Sequence, residues 1–276
     1  MLAMKDYSIS PRMCKGKSFL KEAEKMLRKC LMVWMLVVIV SGTVLAQQAE
    51  VGSRRLVECP TAGLLPRGSF DLDMRMYSEG GILAGVEIGL TDRLLVGLSY
   101  GGTDIIGNKP VHWNPRVEVE AKYRLSDETK LYPAMAIGFS SQGFGRYDEN
   151  RKRYATKSKG AYVVLSKNYS FFGRLGIHGG INYSLEKEDG DDDISGFIGI
   201  DKGLGSELSV LAEYDFATND NGEGSLGSGK GYFNAGVRWI FASRLSLEVD
   251  IKDLRKNGKR NAEPSRELRI VYMEYF

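Results

Sequence analysis

The 276-residue chain is 43% hydrophobic and 26% charged, with a formal net charge of +3. Eight of its 38 basic and three of its 35 acidic residues lie within residues 1–46, so the remainder carries 30 basic and 32 acidic residues, a net of −2. The positive sign therefore comes from the beginning of the chain, and no polybasic run indicates a nucleic-acid partner.

The first 46 residues have the layout of a secretory signal peptide. Basic residues at 25–29 precede an apolar run, Cys30 to Val40, and small residues then lead to Ala46. We expect cleavage after Ala46 and a mature chain suited to one domain. An uncleaved membrane anchor is the alternative, and the residues before Met26 are consistent with a misassigned start codon. Because two of the three cysteines lie before residue 47, Cys59 has no partner for an internal disulfide.

Residues 47–67 show no strand periodicity, and we assign them to a periplasmic N-terminal segment, with folding into the bore of a barrel as the alternative. The stretch Pro60 to Pro66 resembles YjbH-type barrels associated with exopolysaccharide export. That resemblance implies a link to surface polysaccharide.

From Gly68 onward, apolar and polar residues alternate with the period of two that is typical of strands. No segment has helical periodicity. The pattern predicts twelve strands, at about 69–77, 81–90, 93–102, 116–125, 130–140, 153–167, 171–185, 193–202, 206–217, 231–242, 244–254 and 266–276. We expect an irregularity at Pro133, which cannot donate a hydrogen bond to a ladder. The segment 153–167 alternates clearly only from Gly160.

The connections between these strands are alternately short and long. Such alternation is typical of bacterial outer-membrane barrels, which have short periplasmic turns and longer external loops. One face of each strand is apolar, as at Phe233, Val237 and Phe241, whereas the other is polar or charged. A soluble sandwich can show the same alternation. The predicted signal peptide indicates export and therefore favours a membrane barrel. The predicted fold is an all-β, transmembrane, antiparallel up-and-down barrel of about 12 strands over residues 68–276.

The polar face of each predicted strand should line the lumen. The candidates are Asp71, Asp73, Arg75, Glu87, Glu118, Glu120, Lys122, Arg124, Arg174, His178, Glu213, Arg238, Glu248, Asp250 and Arg269. Their mixed signs allow either pairing across a closed bore or a narrow aqueous path. A barrel of eight strands is filled by side chains and one of sixteen is open, so the contents of the lumen decide.

The last strand resembles the terminal strand of bacterial outer-membrane β-barrel proteins, which ends in an aromatic residue preceded by alternating hydrophobic positions. Leu268, Ile270, Tyr272 and Phe276 match this pattern, whereas Glu274 departs from it. The resemblance implies that these four residues form an assembly signal for the barrel-assembly machinery. It also implies a bacterial outer-membrane location.

No constellation in the sequence predicts catalysis, a cofactor or a metal, and we expect no enzymatic activity. Ser99 lies in a G-x-S-x-G sequence, but no helix follows it, as a nucleophile elbow would require. His178 and Asn182 share the lumen face four residues apart, about 13 Å, too far for a hydrogen bond. The basic loops 151–153 and 255–260 could contact lipopolysaccharide phosphates or could be merely solvated.

Three functions remain in order of preference. The first is a passive channel or transport barrel for small polar solutes or oligosaccharides. The second is a non-conducting structural or assembly component linked to surface polysaccharide. The third is an outer-membrane hydrolase that depends on His178 or Ser99. The expected partners are outer-membrane lipid, lipopolysaccharide and the assembly machinery.

Overall fold

A computed structural model describes residues 53–242, 244–259 and 263–276. The predicted signal peptide lies outside the described residues. Those residues form fifteen strands, and none of their helices is long and apolar enough to cross a membrane. The strands are β1 (Ser69–Tyr77), β2 (Gly81–Thr91), β3 (Leu94–Thr103), β4 (His112–Trp113), β5 (Glu118–Ser126), β6 (Ala134–Ser140), β7 (Phe144–Asp148), β8 (Arg153–Thr156), β9 (Gly160–Ser170), β10 (Arg174–Tyr183), β11 (Ser195–Gly203), β12 (Leu208–Asp215), β13 (Tyr232–Phe241), β14 (Leu245–Lys252) and β15 (Ser265–Tyr275).

Twelve of these strands form the closed antiparallel wall that the alternation predicts. Each wall strand pairs with its neighbour in the chain, and β1 pairs with both β2 and β15, which closes the barrel. At the seam the side chain of Phe276 stacks on Phe70 with ring centroids 5.3 Å apart, and its amide donates to the carbonyl of Gly68. Because the wall closes, none of its twelve described strands has a free edge. Unpaired backbone groups at such an edge could not lie in lipid.

The three remaining strands lie in the long connections. β4 pairs antiparallel with the end of β3, and β7 pairs with β8 as a separate hairpin. The predicted strand 153–167 is therefore two elements, which residues 157–159 separate, and Gly160 begins β9 with a φ of +58°. The expected irregularity near Pro133 also occurs: β6 begins at Ala134, and the ladder with β5 shifts register between Arg124 and Ser126.

The connections are short at one end of the barrel and long at the other. The long ones, at 104–117, 141–159, 184–194, 216–231 and 253–264, all lie at the same end, called here the long-loop end. The turn 78–80 is the short exception at that end. The opposite, short-turn end carries the five short connections, among them 92–93 and 204–207.

The wall has an apolar outside and a polar inside. Outward side chains such as Leu72, Leu98 and Val237 are 45–52% exposed, whereas the inward Glu118 and Asp250 are fully buried. A soluble protein does not leave so continuous an apolar surface in water. Aromatic side chains add a girdle near each end, with Tyr100 stacked on Trp113 at one and Trp239 against Phe241 at the other. The architecture is that of a bacterial outer-membrane β-barrel.

Candidate functional site: a hairpin in the bore

The bore is occupied by the chain's own N-terminal segment, residues 53–66, called here the plug. Leu56, Cys59 and Leu65 of this segment are each at most 1% exposed. They pack against inward residues of the wall, with Cys59 beside Phe197 and Leu65 beside Leu95. The sequence predicts a periplasmic segment at 47–67, with the bore as the alternative, and the structure places its described part, from residue 53, in the bore.

The plug is a small hairpin whose two limbs point toward the short-turn end. The amide of Leu56 donates to the carbonyl of Cys59 over 2.9 Å, and that of Thr61 donates to the carbonyl of Arg54 over 3.1 Å. These bonds place the apex at residues 57–58. After Pro66 the chain turns into β1 at the short-turn end, which fixes the direction of entry.

One carboxylate of the wall holds the apex. Glu213 on β12 accepts the backbone amides of Val57 at 3.1 Å, Glu58 at 2.9 Å and Cys59 at 2.8 Å. Asn234 on β13 orients it by donating to Oε1 over 2.8 Å. Consecutive amides that converge on one anion form a strong, geometrically specific cradle.

Cations of the wall bind the carbonyl oxygens of the plug. The Lys122 ammonium lies 2.9 Å from the carbonyl of Arg54, and the Arg124 guanidinium donates to the carbonyl of Ala62 over 3.0 Å. From the opposite side of the barrel, Arg238 donates to the carbonyl of Arg55 over 2.9 Å. The wall thus satisfies main-chain groups that the buried hairpin leaves unpaired.

Charged side chains of the plug add ion pairs to an acidic sector of the wall. Arg54 pairs with Asp71 and lies 2.9 Å from Glu87. Arg55 pairs with Glu120. Breaking a buried pair by removing one partner is strongly destabilising, because it leaves an uncompensated charge.

Most of the remaining charges pair within the wall or with the loops, whereas both carboxylate oxygens of Asp250 are buried without a hydrogen-bond partner among the described residues. Arg269 binds Asp73 at 2.5–3.0 Å, Arg238 binds Glu248 at 2.5 Å, and Arg174 pairs with Asp201. All fifteen predicted lumen residues have these inward positions: Asp71, Asp73, Arg75, Glu87, Glu118, Glu120, Lys122, Arg124, Arg174, His178, Glu213, Arg238, Glu248, Asp250 and Arg269. That they line a solute path stays a prediction.

His178 lies in a three-residue hydrogen-bonded chain that the sequence analysis did not foresee. Its Nδ1 is 2.8 Å from Oγ of Ser166 on β9, and its Nε2 is 2.9 Å from Oδ1 of Asp201 on β11. If Nε2 carries the proton, the serine donates to Nδ1, and the amide of Ala62 donates to Oγ at 2.8 Å. Neither Ser99, bonded to Gln142, nor Asn182, bonded to the carbonyl of Lys159, belongs to this chain.

Little space remains around the plug. One cavity in the bore, beside Arg55 and Glu120, measures about 30 Å³, and another beside Phe144 measures about 10 Å³. Such volumes hold about one or two water molecules. In the described structure the plug therefore occupies the bore beside these cavities.

The β7–β8 hairpin covers part of the bore at the long-loop end. The hairpin β7–β8 places Phe144 over the bore, with the Arg75 guanidinium 4.7 Å and the Lys252 ammonium 5.1 Å from its ring centroid. Arg75 also donates to the carbonyl of Val57, and Lys252 pairs with Glu58. The same two cations thus contact both the plug and the hairpin.

Arg153 fastens this hairpin to two other loops. Its Nη1 lies 2.6 Å from both Asp189 and Asp220, and the side chain is fully buried. Burial lowers the pKa of Arg153, but Asp220 and Asp189 raise it by more, so the guanidinium stays charged.

The sequence predicts the residues of the wall better than it predicts the residues that they contact. Ser166, Asp201 and Glu267 occupy inward positions that strict alternation along β9, β11 and β15 would have identified. The contacts of Arg54 and Arg55 had no such signal, because an irregular segment carries no periodicity.

The chain has structural similarity to known proteins. No family model matches it, and no curated protein matches its sequence. It is similar in structure to the KdgM porin (10% identity, 75% of this chain and 99% of that one, TM-score 0.47) and the NanC porin (10%, 75% and 99%, TM-score 0.44). It is also similar to an outer membrane channel from Pseudomonas putida F1 (12% identity, 82% of this chain and 100% of that one, TM-score 0.39). Similarity at this level carries no argument about substrate or activity.

Proposed function

We propose that this chain is an outer-membrane transport barrel for small polar solutes or oligosaccharides whose bore is closed at rest by its own plug. The observation that carries the proposal is that a separate hairpin fills the bore. Wall side chains do not fill it alone, as they do in an eight-stranded barrel.

The contacts of the plug support reversible closure. The wall binds the plug through amides, carbonyl oxygens and ion pairs, as with Glu213, Lys122 and Glu87. Water or a polar solute could replace each of these contacts once the plug moves. Both limbs point to the short-turn end, so the plug can leave there without threading through the wall.

Solute flux into liposomes tests the proposal. A variant without residues 53–64 keeps Pro66 leading into β1 and should admit a small sugar rapidly, whereas the full-length barrel should admit it slowly. A gel-mobility shift on heating would show that the variant still forms a barrel. A folded variant that admits no sugar would contradict the proposal.

A non-conducting structural barrel is the second candidate. The buried network at Arg153 favours it, because this network fastens the β7–β8 hairpin to two other loops at the long-loop end without contacting the plug. This candidate predicts no flux in either form of the barrel and a crosslinked partner at its surface.

The Ser166–His178–Asp201 chain keeps a hydrolase as the third candidate, since its distances are those of a nucleophile, a base and an orienting carboxylate. However, the plug amide of Ala62 already occupies Oγ of Ser166. Ester hydrolysis that appears on removal of the plug and disappears in Ser166→Ala would support it. If no such activity appears, the role of this hydrogen-bonded chain of three residues is only to anchor the plug.

A further inference from the structure

The lipid-facing wall carries a groove across β5, β6, β9 and β10. In the ladder Phe139 lies opposite Ala121 on one side and Ala161 on the other, and these small side chains leave depressions beside the ring. The groove has a volume of about 530 Å³. Its apolar lining includes Tyr123, Ile137, Val163, Ile181, Tyr183 and Ile194.

A polar pocket adjoins this groove at the long-loop end. It has a volume of about 140 Å³ and shares Phe139 with the groove. Arg116 and Lys152 line it, together with the hydroxyls of Ser141 and Ser158. An apolar groove thus runs into a pocket with two cations at the level where a membrane surface is expected.

The two cations are available to a ligand. Arg116 is held by Glu118 at 3.2 Å, while its side chain is 56% exposed. Lys152 lies at the tip of the β7–β8 hairpin with a φ of +49°. Its ammonium makes no ion pair or hydrogen bond with any residue that the structure describes.

Two acids also line the pocket. Glu186 is turned inward, where it accepts the amides of Tyr154 and Ser158. Glu188 is exposed and accepts the amide of Lys187 at 3.3 Å. An anion would therefore bind on the side of the pocket formed by Arg116 and Lys152.

The basic run 151–153 separates into three roles. Arg151 binds Asp148 at 2.8 Å and the carbonyl of Gly224 at 3.0 Å. Arg153 is buried in the loop network. Lys152 is the residue of this run that remains for an external anion.

We propose that the groove and pocket bind one acylated, phosphorylated lipid of the surrounding membrane. An acyl chain lies in the groove beside Phe139, and a phosphate lies between Arg116 and Lys152. The continuity of the apolar groove with the cationic pocket selects an amphiphile over a soluble anion. This site is separate from the bore and does not depend on transport.

Native mass spectrometry of the detergent-solubilised barrel tests this site with bis-phosphorylated lipid A as the probe. The wild type should retain lipid A, but it should retain neither dephosphorylated lipid A nor inorganic phosphate. In Arg116→Gln/Lys152→Gln, apparent affinity should fall by about tenfold or more, the value of one charge-assisted hydrogen bond.

Two further variants separate a site from general adsorption. Lys109→Gln/Lys256→Gln removes the same charge from exposed loop positions elsewhere and should bind lipid A like the wild type. Ala161→Leu fills the groove without touching the cations and should also weaken retention. Equal retention of phosphorylated and dephosphorylated lipid, or an equal loss in both double variants, would overturn the proposal.

Discussion

At the residue scale, Glu213 is the wall residue that holds the plug most directly. Replacing it by glutamine removes the charge that three plug amides share, and hydrogen bonds to charged groups contribute about 1.5–3 kcal/mol each. We expect Glu213→Gln to raise the open probability in planar-bilayer recordings about 10- to 100-fold.

The control for this variant is Glu223→Gln, which removes an exposed carboxylate in a long loop. It should conduct like the wild type. A Glu213→Gln barrel as silent as this control would show that the Glu213 cradle does not govern closure.

Glu186 should make the packing of the long loops sensitive to pH. Burial raises its pKa to about 7, although the amides of Ser158 and Tyr154 act in the opposite direction. Because folding raises the pKa of Glu186, its protonated carboxyl stabilises the folded loops. This stabilisation is complete below the ordinary pKa of 4.5 and is lost as pH rises through about 7.

Hydrogen exchange of the loop amides, corrected for intrinsic rates, measures this effect. Protection of the segment 154–158 should decrease between pH 4.5 and pH 7. Glu186→Gln keeps the shape without the titration and should flatten the dependence. Protection that rises with pH in the wild type would show that the ionised carboxylate is the better partner.

At the element scale, the β7–β8 hairpin depends on Arg153 for its position. Arg153→Gln leaves Asp220 buried without an ion-pair partner among the described residues, while Lys157 still pairs with Asp189, and the loss of such a partner costs about 3–5 kcal/mol. We expect the hairpin to detach and to be cleaved by an external protease.

Arg151→Gln is the matched control, because Arg151 is a neighbouring arginine whose side chain is 37% exposed. Its loss should leave the hairpin resistant. A hairpin that stays as resistant in Arg153→Gln as in Arg151→Gln would mean that the loop network does not hold the hairpin.

The wall strands could be predicted from the sequence because their period of two is imposed by a membrane outside and a polar bore inside. The predicted 231–242 and the observed β13, Tyr232–Phe241, differ by one residue at each end. The β7 strand escaped prediction because a short hairpin above the membrane has no apolar face to maintain. The lack of an apolar face in β8 likewise explains why the sequence predicts 153–167 as a single strand.

At the scale of the whole molecule, the contents of the barrel could not be predicted. The alternation predicts on which side of the wall a residue such as Glu87 or Arg238 lies, but it does not predict which residue it contacts. The plug has an irregular backbone, and its position depends on contacts with many strands at once. Composition and periodicity do not predict such contacts, although Arg54 and Arg55 carry charges that an acidic wall could bind.

The central claim, a membrane barrel closed by residues 53–66, is tested most directly by the reactivity of Cys59, a free and fully buried thiol in the plug. In outer-membrane fragments, a maleimide should label Cys59 slowly while the barrel is native and fully after boiling in SDS. A Glu223→Cys variant in a Cys59→Ser background should react at once in native fragments. Equally rapid labelling of Cys59 in native fragments would place the plug outside the bore and contradict the account.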